Sequence, residues 1–259
     1  MRLHSKSAFI TGGTNGIGLA TAEAFVREGA HVAVTGRDET RLRGVAERLG
    51  EQCTGFAADA GDDAGMAEAF ASVARDWGGI DILFVNAGHY VPATLGETTR
   101  QDIAAQMEVV ANIFMAVQGA LPYLRPGASV ILMGSVYATM GPPGAAAYAA
   151  SKAASAAMAR SMASELAPRG IRVNVVVPGA VDTPSWGHDR MEPAEQDRRK
   201  QALGERAPFN RMLTAAEVAN AVLFLASDES SGLTATEIVV DGGTTGALAG
   251  SPRYLRGEP

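Results

Sequence analysis

Short apolar runs rich in valine and isoleucine alternate along the chain with longer stretches in which apolar residues recur every three to four positions. The short runs are typical of buried strands, and the longer stretches are typical of helices with one apolar face. Strands that alternate with helices predict a parallel sheet with helices on both faces, because each helix returns the chain to the same end of the sheet. We therefore expect an α/β protein built on a doubly wound, seven-stranded parallel sheet.

The pattern also gives approximate bounds for these elements. Strands are predicted over residues 8–11, 31–35, 53–57, 80–85, 129–133, 172–177 and 237–240. Helices are predicted over residues 17–28, 39–49, 64–77, 101–124, 147–166 and 215–226. Because no repeat or linker interrupts this alternation, residues 1–259 are expected to form a single domain.

One long stretch lacks this alternation. Residues 178–213 are rich in proline and charge, and only a short helix is predicted within them, over residues 195–203. The stretch follows the sixth strand and so begins at the carboxyl edge of the sheet, where α/β proteins bind ligands. We expect residues 180–213 to form a lid over a substrate, and a disordered surface insertion is the alternative.

Charge and cysteine content exclude several classes of function. The 259 residues carry a formal net charge of −6, which gives no field to gather nucleic acid or an anionic membrane. Cys53 is the only cysteine, so an internal disulfide is excluded and a reducing compartment is compatible. The sequence shows no signal-type N-terminus and no uninterrupted apolar stretch long enough to span a bilayer, so a cytoplasmic protein is expected. The four histidines show no ligand spacing, and we expect no metal site.

A glycine-rich turn follows the first predicted strand directly. Residues 11–18 read TGGTNGIG, and the first predicted helix begins within this run. Gly12 lets the chain turn out of the strand, Gly16 lets backbone approach a bound molecule, and Gly18 lets the helix pack close to the sheet. Backbone N–H groups at the start of a helix bind phosphate, so the turn indicates a nucleotide site. Glycines needed only for steric reasons are the alternative, and a P-loop is excluded because no Gly-Lys-Ser/Thr follows.

A tyrosine and a lysine lie four residues apart in the fifth predicted helix. Residues i and i+4 share a helix face, so the Tyr148 phenol and the Lys152 ammonium are expected to lie side by side. Ser135 adds a hydroxyl just after the fifth strand. A tyrosine has a pKa of about 10 and exchanges protons near neutral pH only if its anion is stabilised, as a nearby cation does. These residues indicate an acid–base centre, and a surface pair on an alanine-rich helix is the alternative.

Together these motifs resemble those of the short-chain dehydrogenase/reductase family, and the resemblance covers nearly the whole chain. It rests on the order and spacing of TGGTNGIG at 11–18, Asp59, Asn86-Ala87-Gly88, Asn112, Ser135, Tyr148-x-x-x-Lys152, Pro178-Gly179 and Thr183. The family usually has a second asparagine where this chain has Val85, a change that affects local backbone packing rather than chemistry. The resemblance implies a Rossmann-like fold and an enzyme that uses a nicotinamide cofactor.

The resemblance also implies roles for individual residues. Tyr148 would protonate the carbonyl oxygen in reduction and act as the base in alcohol oxidation, and Lys152 would lower its pKa and hydrogen-bond the nicotinamide ribose. Ser135 would hold the substrate oxygen, and Asn112 would keep a water in a proton relay from Lys152. Asp59 would contact the adenine edge, with a helix cap as the alternative. The expected cofactor-binding residues are Gly12, Thr14, Asn15, Gly16, Ile17, Gly18, Arg37, Asp59, Ala60, Asn86, Ala87, Gly88, Tyr148, Lys152, Pro178, Gly179, Val181 and Thr183.

The end of the second predicted strand bears on the choice of cofactor. An acidic residue there would hold the ribose 2′-hydroxyl of NAD, whereas an arginine pairs with the 2′-phosphate of NADP. Gly36 occupies the acidic position and Arg37 follows it, so NADP(H) is favoured and NAD(H) is the alternative. Asp38 is expected to cap the next helix. Asn15 stands where NADP-preferring relatives often carry a second basic residue.

A mostly apolar and aromatic set of side chains is expected to line the substrate pocket, with lid packing as the alternative for each. The set is His89, Tyr90, Met140, Pro142, Trp186, His188 and Met191. Its character favours a medium-sized, moderately apolar ketone or alcohol. Basic residues between 190 and 206 are interpreted as a solvated face rather than a site for an anionic carrier, because acidic residues are interspersed.

Three functional hypotheses follow. The favoured reading is NADPH-dependent carbonyl reduction or the reverse oxidation of a secondary alcohol, with 3-oxoacyl thioester reduction as a neighbouring activity. An NAD-dependent sugar or polyol dehydrogenase would need Arg37 turned away and a more polar pocket. A catalytically silent nucleotide sensor is disfavoured because all four catalytic residue types are retained. The family is commonly tetrameric, and the apolar helices over 101–124 and 147–166 predict a homotetramer acting on a small molecule.

Overall fold

The alternation of strands and helices predicted from the sequence is present in the computed structural model, which describes residues 1–184 and 191–257. The strands are β1 (Ser7–Thr11), β2 (His31–Gly36), β3 (Cys53–Ala57), β4 (Ile80–Val85), β5 (Leu124–Met133), β6 (Arg172–Pro178), β7 (Val181–Asp182), β8 (Leu213–Thr214) and β9 (Glu237–Val240). The helices are α1 (Gly16–Arg27), α2 (Glu39–Leu49), α3 (Asp63–Trp77), α4 (Arg100–Ala120), α5 (Tyr137–Met140), α6 (Ala146–Leu166), α7 (Pro193–Gly204), α8 (Ala215–Ala226) and α9 (Pro252–Leu255).

Seven parallel strands form the central sheet, as expected, and their order is β3-β2-β1-β4-β5-β6-β9. The chain moves from β1 toward one edge and resumes at β4 on the other side, so the strand order reverses between β1 and β4. Thr11 and Val85 are paired at the carboxyl ends of these two strands. The loops after β1 and β4 therefore open on one crevice, where doubly wound sheets bind ligands.

Helices cover both faces of the sheet, which confirms the predicted doubly wound arrangement. On one face, α3, α4 and α6 pack against strand residues such as Phe9 and Leu83. On the other face, α1, α2 and α8 pack against the intervening residues, such as Ile10 and Ile82. Successive strand side chains point to opposite faces, so one strand contributes to both cores.

The boundary between α4 and β5 differs from the expectation. The helix was predicted to reach residue 124, but α4 ends at Ala120 and β5 begins at Leu124. Leu124 pairs with Ile80 of β4, and the register then shifts before regular pairing resumes. Arg169 donates to the Leu121 carbonyl at 3.0 Å, which satisfies an acceptor that the end of the helix leaves open. Long-range pairing with β4 overrides the local helical pattern.

Helix α4 is long and apolar enough, by length and average composition alone, to cross a membrane. Polar residues such as Gln106 and Glu108 interrupt it, and Val109 and Ile113 are buried in the core beneath it. A core helix of a soluble protein passes the same test of length and composition. Packing against the sheet accounts for the apolar residues on the buried side of α4.

The stretch after β6 contains the short helix that the sequence predicts, here α7. Two further short strands, β7 and β8, were not predicted, and they pair with each other at the two ends of this stretch. Lys200 of α7 pairs with Asp182 of β7 at 2.8 Å, which ties the helix to the small sheet that β7 forms with β8. Trp186 and His188, two predicted pocket residues, lie outside the described residues.

Candidate functional site

The glycine-rich turn between β1 and α1 is bonded to the loop after β4. The Asn86 side-chain amide donates to the carbonyl oxygens of Thr11 and Gly12 at 3.1 and 2.9 Å. The Thr11 hydroxyl accepts from the backbone N–H groups of Asn86 and Ala87, both at 3.0 Å. These four hydrogen bonds fix the turn where the strand order reverses. Thr11 was not among the expected site residues, although it begins the glycine motif.

The start of α1 lies against this turn so closely that only glycine fits at position 18. A Cβ on Gly18 would lie 2.2 Å from the Gly12 carbonyl oxygen and 2.7 Å from the Asn86 amide nitrogen. Asn15 is the N-cap residue, and within the described part of the chain its side chain bonds none of the first N–H groups of the helix. Those N–H groups remain available to an anion, which fits the phosphates of a dinucleotide.

The loop that leaves β6 faces the glycine turn. A Cβ on Gly16 would lie 3.2 Å from the Thr183 methyl group. Pro178 accepts from the Val136 N–H at 3.1 Å, and Gly179 donates to the Val240 carbonyl at 2.9 Å. The predicted phosphate-side and nicotinamide-side segments therefore meet across one crevice, with Val181 buried below.

The end of β2 places the residues expected to choose the cofactor. A Cβ on Gly36 would lie 2.6 Å from the Thr14 methyl group, so Thr14 fills the space that an acidic side chain would enter. Arg37 contacts Asp59 at 3.5 Å between Nε and Oδ2, and its side chain is 83% exposed. Asp38 accepts from the Arg41 N–H at 3.0 Å, which confirms it as the cap of α2.

Asp59 lies in the turn after β3. Its Oδ1 accepts from the Gly61 N–H at 2.9 Å, while Asp62 caps α3. The helix-cap alternative for Asp59 was therefore wrong, because the cap lies three residues later. Ala60 lies in the same turn. Asn112 of α4 is half-buried beside it, and a Cβ on Gly61 would lie 3.4 Å from its amide nitrogen.

The predicted catalytic residues converge at the carboxyl edge of the sheet. Tyr148 and Lys152 lie on the first turns of α6, and the Lys152 Nζ is 5.7 Å from the centroid of the Tyr148 ring. Ser135 follows β5, and its hydroxyl lies close enough to Tyr148 to lower the pKa of the phenol. Lys152 is 4% exposed and donates to the Met133 carbonyl at 3.2 Å. Gly88 lies above it, because a Cβ there would be 3.6 Å from Nζ.

Burial dominates the electrostatics of this centre. It raises the pKa of Tyr148, and the neighbouring Ser135 hydroxyl opposes that rise. Burial lowers the pKa of Lys152 to about 8. The expectation that Lys152 lowers the pKa of Tyr148 is thus not met by the chain alone. The physical reason is that desolvation disfavours both charged forms, and the ammonium is directed at a backbone carbonyl rather than at the phenol.

Three tyrosine rings meet at this edge, and one of them was missed by sequence reasoning. Tyr90, a predicted pocket residue, lies 4.9 Å from Tyr148 between ring centroids, and Tyr137 lies 5.9 Å from Tyr148. Tyr137 begins α5, two residues after Ser135. Its position two residues after Ser135, a serine at the end of a strand, could have identified it from the sequence.

The other predicted pocket residues are less closely grouped. Met140 ends α5 and is 40% exposed, with Pro142 just beyond it. His89 is exposed, and its carbonyl accepts from Gln106 at 3.3 Å. Met191 contacts Arg199 of α7 through its sulfur at 3.7 Å, so the described contact of this residue is with the expected lid.

Known proteins share this arrangement. A family model described as enoyl-(acyl carrier protein) reductase matches residues 12–245. A solved short-chain dehydrogenase/reductase from Brucella melitensis, described as a glucose/ribitol dehydrogenase, matches with a TM-score of 0.87 at 30% identity, covering 94% of this chain and 98% of that one. The chain belongs to the short-chain dehydrogenase/reductase family. As a member of this family it is an oxidoreductase, and the family uses NAD(P)(H).

Two curated members of the short-chain dehydrogenase/reductase family show how far the similarity extends. The oxidoreductase asL5 of Sarocladium schorii is 37% identical, over 93% of this chain and 96% of that protein. The 3-oxoacyl-[acyl-carrier-protein] reductase FabG of Escherichia coli (strain K12) is 35% identical, over 94% of this chain and 98% of that protein. Family membership therefore covers the whole catalytic fold, while these relatives differ in their described activities.

Proposed function

We propose that the protein uses NADPH to reduce a ketone to a secondary alcohol, with Tyr148 as general acid, and catalyses the reverse oxidation. The observation that carries the proposal is the convergence of Ser135, Tyr148 and Lys152 at the carboxyl edge of the sheet. Ser135 lies beside Tyr148, so the two hydroxyl groups are close to one another. A carbonyl oxygen at that point would accept from both, which stabilises the negative charge that develops on it.

Side chains of the protein bind the carbonyl oxygen of the substrate and supply its proton. Ser135 holds the carbonyl oxygen, and Tyr148 transfers its phenolic proton to that oxygen as the C–O bond becomes single. The reduced coenzyme, when bound, supplies the hydride that reaches the carbonyl carbon. Lys152, whose pKa is about 8, then exchanges protons near neutral pH. Asn112 is assigned to the relay that returns a proton to Lys152.

NADP(H) is the proposed coenzyme. Gly36 and Thr14 leave no room for the carboxylate that would grip a free ribose 2′-hydroxyl, since the nearest Thr14 atom would be 2.6 Å from a Cβ. Arg37 is 83% exposed beside this point, so a 2′-phosphate reaches its guanidinium without breaking a buried contact. The Arg37–Asp59 pair is weak enough, at 3.5 Å and exposed, to yield to such a phosphate.

Titration of the purified protein with NADPH and with NADH, followed by cofactor fluorescence, tests the coenzyme assignment. We expect Arg37→Ala to weaken NADPH binding about 10- to 100-fold and NADH binding less than about 2-fold, because a charge-assisted hydrogen bond is lost only with the phosphate. Arg43→Ala, at an exposed position of α2, is the matched control and should leave both affinities unchanged. Equal losses of NADPH and NADH in Arg37→Ala would refute the role of Arg37.

Two neighbouring activities are supported by the relatives. The similarity to FabG favours a 3-oxoacyl thioester, and the similarity to the glucose/ribitol dehydrogenase favours a sugar or polyol. Initial rates with an unactivated ketone, a 3-oxoacyl thioester and a polyol separate the three. Faster turnover of the thioester or the polyol than of every ketone tested would contradict the proposal of a simple ketone as substrate.

A homotetramer in the cytoplasm is the proposed state of the protein. Exposed apolar side chains lie along α4, among them Ile103, Met107 and Phe114, each between 38% and 47% exposed. Covering such residues with a second copy of the helix would remove apolar surface from water. Light scattering at micromolar concentration tests the assembly, and a monomeric mass would contradict it.

A further inference from the structure

We infer that Tyr90, Tyr137 and Tyr148 form a binding corner for the aromatic ring of an aryl ketone, an inference that rests on the proposed function. The three rings are mutually inclined. The planes of Tyr137 and Tyr148 are at 90°, those of Tyr90 and Tyr137 at 85°, and those of Tyr90 and Tyr148 at 63°. All three centroids lie within 6.3 Å of one another. We call these three side chains the tyrosine corner.

Hydrogen bonds hold one wall of the tyrosine corner in place. The Tyr90 hydroxyl donates to the Gly144 carbonyl at 3.2 Å, and the Ala93 N–H donates to the same carbonyl at 3.0 Å. Gln106, which is fully buried, donates to the His89 carbonyl at 3.3 Å. Because the Tyr90 hydroxyl is bonded to the backbone, this residue presents its ring to the cleft rather than its polar end.

The rings are not fully covered by the fold. Tyr90 is 40% exposed, and Tyr137 and Tyr148 are partly exposed. Exposed aromatic surface beside a reactive hydroxyl is available to a ligand, because removing aromatic surface from water is favourable. The ring that bears the acid, Tyr148, is itself one wall of the corner.

Tyr148 is both the proposed acid and one wall of the tyrosine corner, so the carbonyl group it protonates lies next to the corner. Tyr148 and Ser135, which lie beside one another, are the two groups proposed to hold the carbonyl oxygen. A ring attached directly to the carbonyl carbon then lies next to the tyrosine corner, where its face and edges meet rings in stacked or edge-on contact. A saturated ring of the same size fills similar space but has no π face to offer. The corner therefore favours an aryl ketone over its cycloalkyl counterpart.

Paired substrates test this inference. We would compare kcat/KM for acetophenone and cyclohexyl methyl ketone with NADPH, in the wild type and in Tyr90→Leu and Tyr137→Leu. Leucine keeps apolar bulk and removes the ring, so each change should lower the aryl-to-cycloalkyl ratio about 2- to 10-fold. Tyr137→Phe keeps the ring and is the matched control, with the ratio retained. An unchanged ratio in both leucine variants overturns the inference.

A binding measurement separates the inference from the proposed function. In Tyr148→Phe all three rings remain but the proton donor is removed, so calorimetry can follow each ketone binding to the coenzyme complex without turnover. Tighter binding of acetophenone that disappears in Tyr148→Phe/Tyr137→Leu supports the corner, even if the wild type reduces neither ketone. Equal binding of the two ketones overturns the inference, even if Tyr148-dependent turnover establishes the proposed function.

Discussion

The two sides of the catalytic cleft are built differently. On the coenzyme side, four hydrogen bonds from Asn86 and Ala87 to Thr11 and Gly12 fix the glycine turn, and a Cβ on Gly18 would collide with backbone. On the substrate side, Tyr90 and Tyr137 meet Tyr148 through ring contacts and remain partly exposed. Hydrogen bonds and close backbone contacts demand particular residues, whereas ring contacts between partly exposed side chains tolerate exchange.

A fold divided in this way can carry different activities beside one coenzyme site. The coenzyme side leaves little freedom to substitute without losing the turn. The substrate side can change its ring lining while the sheet, the turn and Tyr148 stay in place. Mutations that act on one side and spare the other therefore test the comparison directly.

The largest expected effect is on kcat, through Tyr148, which lies between the two sides of the cleft. Tyr148→Phe should reduce kcat about 10²- to 10⁴-fold, because it removes the proton donor and keeps the ring. Coenzyme affinity should stay within about 2-fold, since the glycine turn is untouched. Steady-state rates and coenzyme titration provide the two readouts. A Phe variant with nearly wild-type turnover would show that another group is the acid.

The next effect is on stability and depends on pH. The pKa of Lys152 is about 8 in the fold and 10.5 ordinarily, so the unfolded chain binds more protons between these values. The free energy of unfolding contributed by this group therefore rises with pH from about 8 to 10.5, and the full cost of burying the ammonium remains below pH 8. Lys152→Met should stabilise the protein at pH 7 by up to about 3 kcal/mol.

Urea unfolding of wild type and Lys152→Met at pH 7 and pH 10 measures this difference. The advantage of the variant should shrink at the higher pH, as the wild-type lysine loses its proton. The Met133 carbonyl keeps a hydrogen bond from Ser155, at 3.4 Å, so removal of the ammonium does not leave it without a donor. A variant less stable than wild type at pH 7, or a gap independent of pH, contradicts the expectation.

A pair of glycine substitutions gives the smallest effects and sharpens the steric side of the comparison. Gly18→Ala should lower the free energy of unfolding by about 1–3 kcal/mol and weaken coenzyme binding, because the new Cβ would lie 2.2 Å from the Gly12 carbonyl oxygen. Gly44→Ala in α2 meets nothing within 4 Å and should raise stability by about 0.5–1 kcal/mol through helix propensity. Equal effects of the two changes on unfolding would remove the steric explanation.

The periodicity of the sequence predicted most of the secondary structure because strand and helix periods are local properties. The bounds of β3, β4, β9, α2 and α8 agree with the prediction. Tyr148 and Lys152 were placed on one helix face from their spacing, which local geometry fixes. The end of α4 and the start of β5 were not predicted correctly, because the pairing of Leu124 with Ile80 depends on a strand far away in the sequence.

The sequence by itself determined the strand-turn-helix that begins the fold, the spacing of Tyr148 and Lys152 and the absence of an acidic residue at position 36. Only the tertiary structure decided that Thr14 fills the space beside Gly36, that Arg37 pairs with Asp59, and that the rings of Tyr90 and Tyr137 meet Tyr148 from separate segments. The physical reason is that a parallel sheet brings the carboxyl ends of all its strands to one edge. Residues remote in sequence become neighbours there, and no local period records which of their side chains touch.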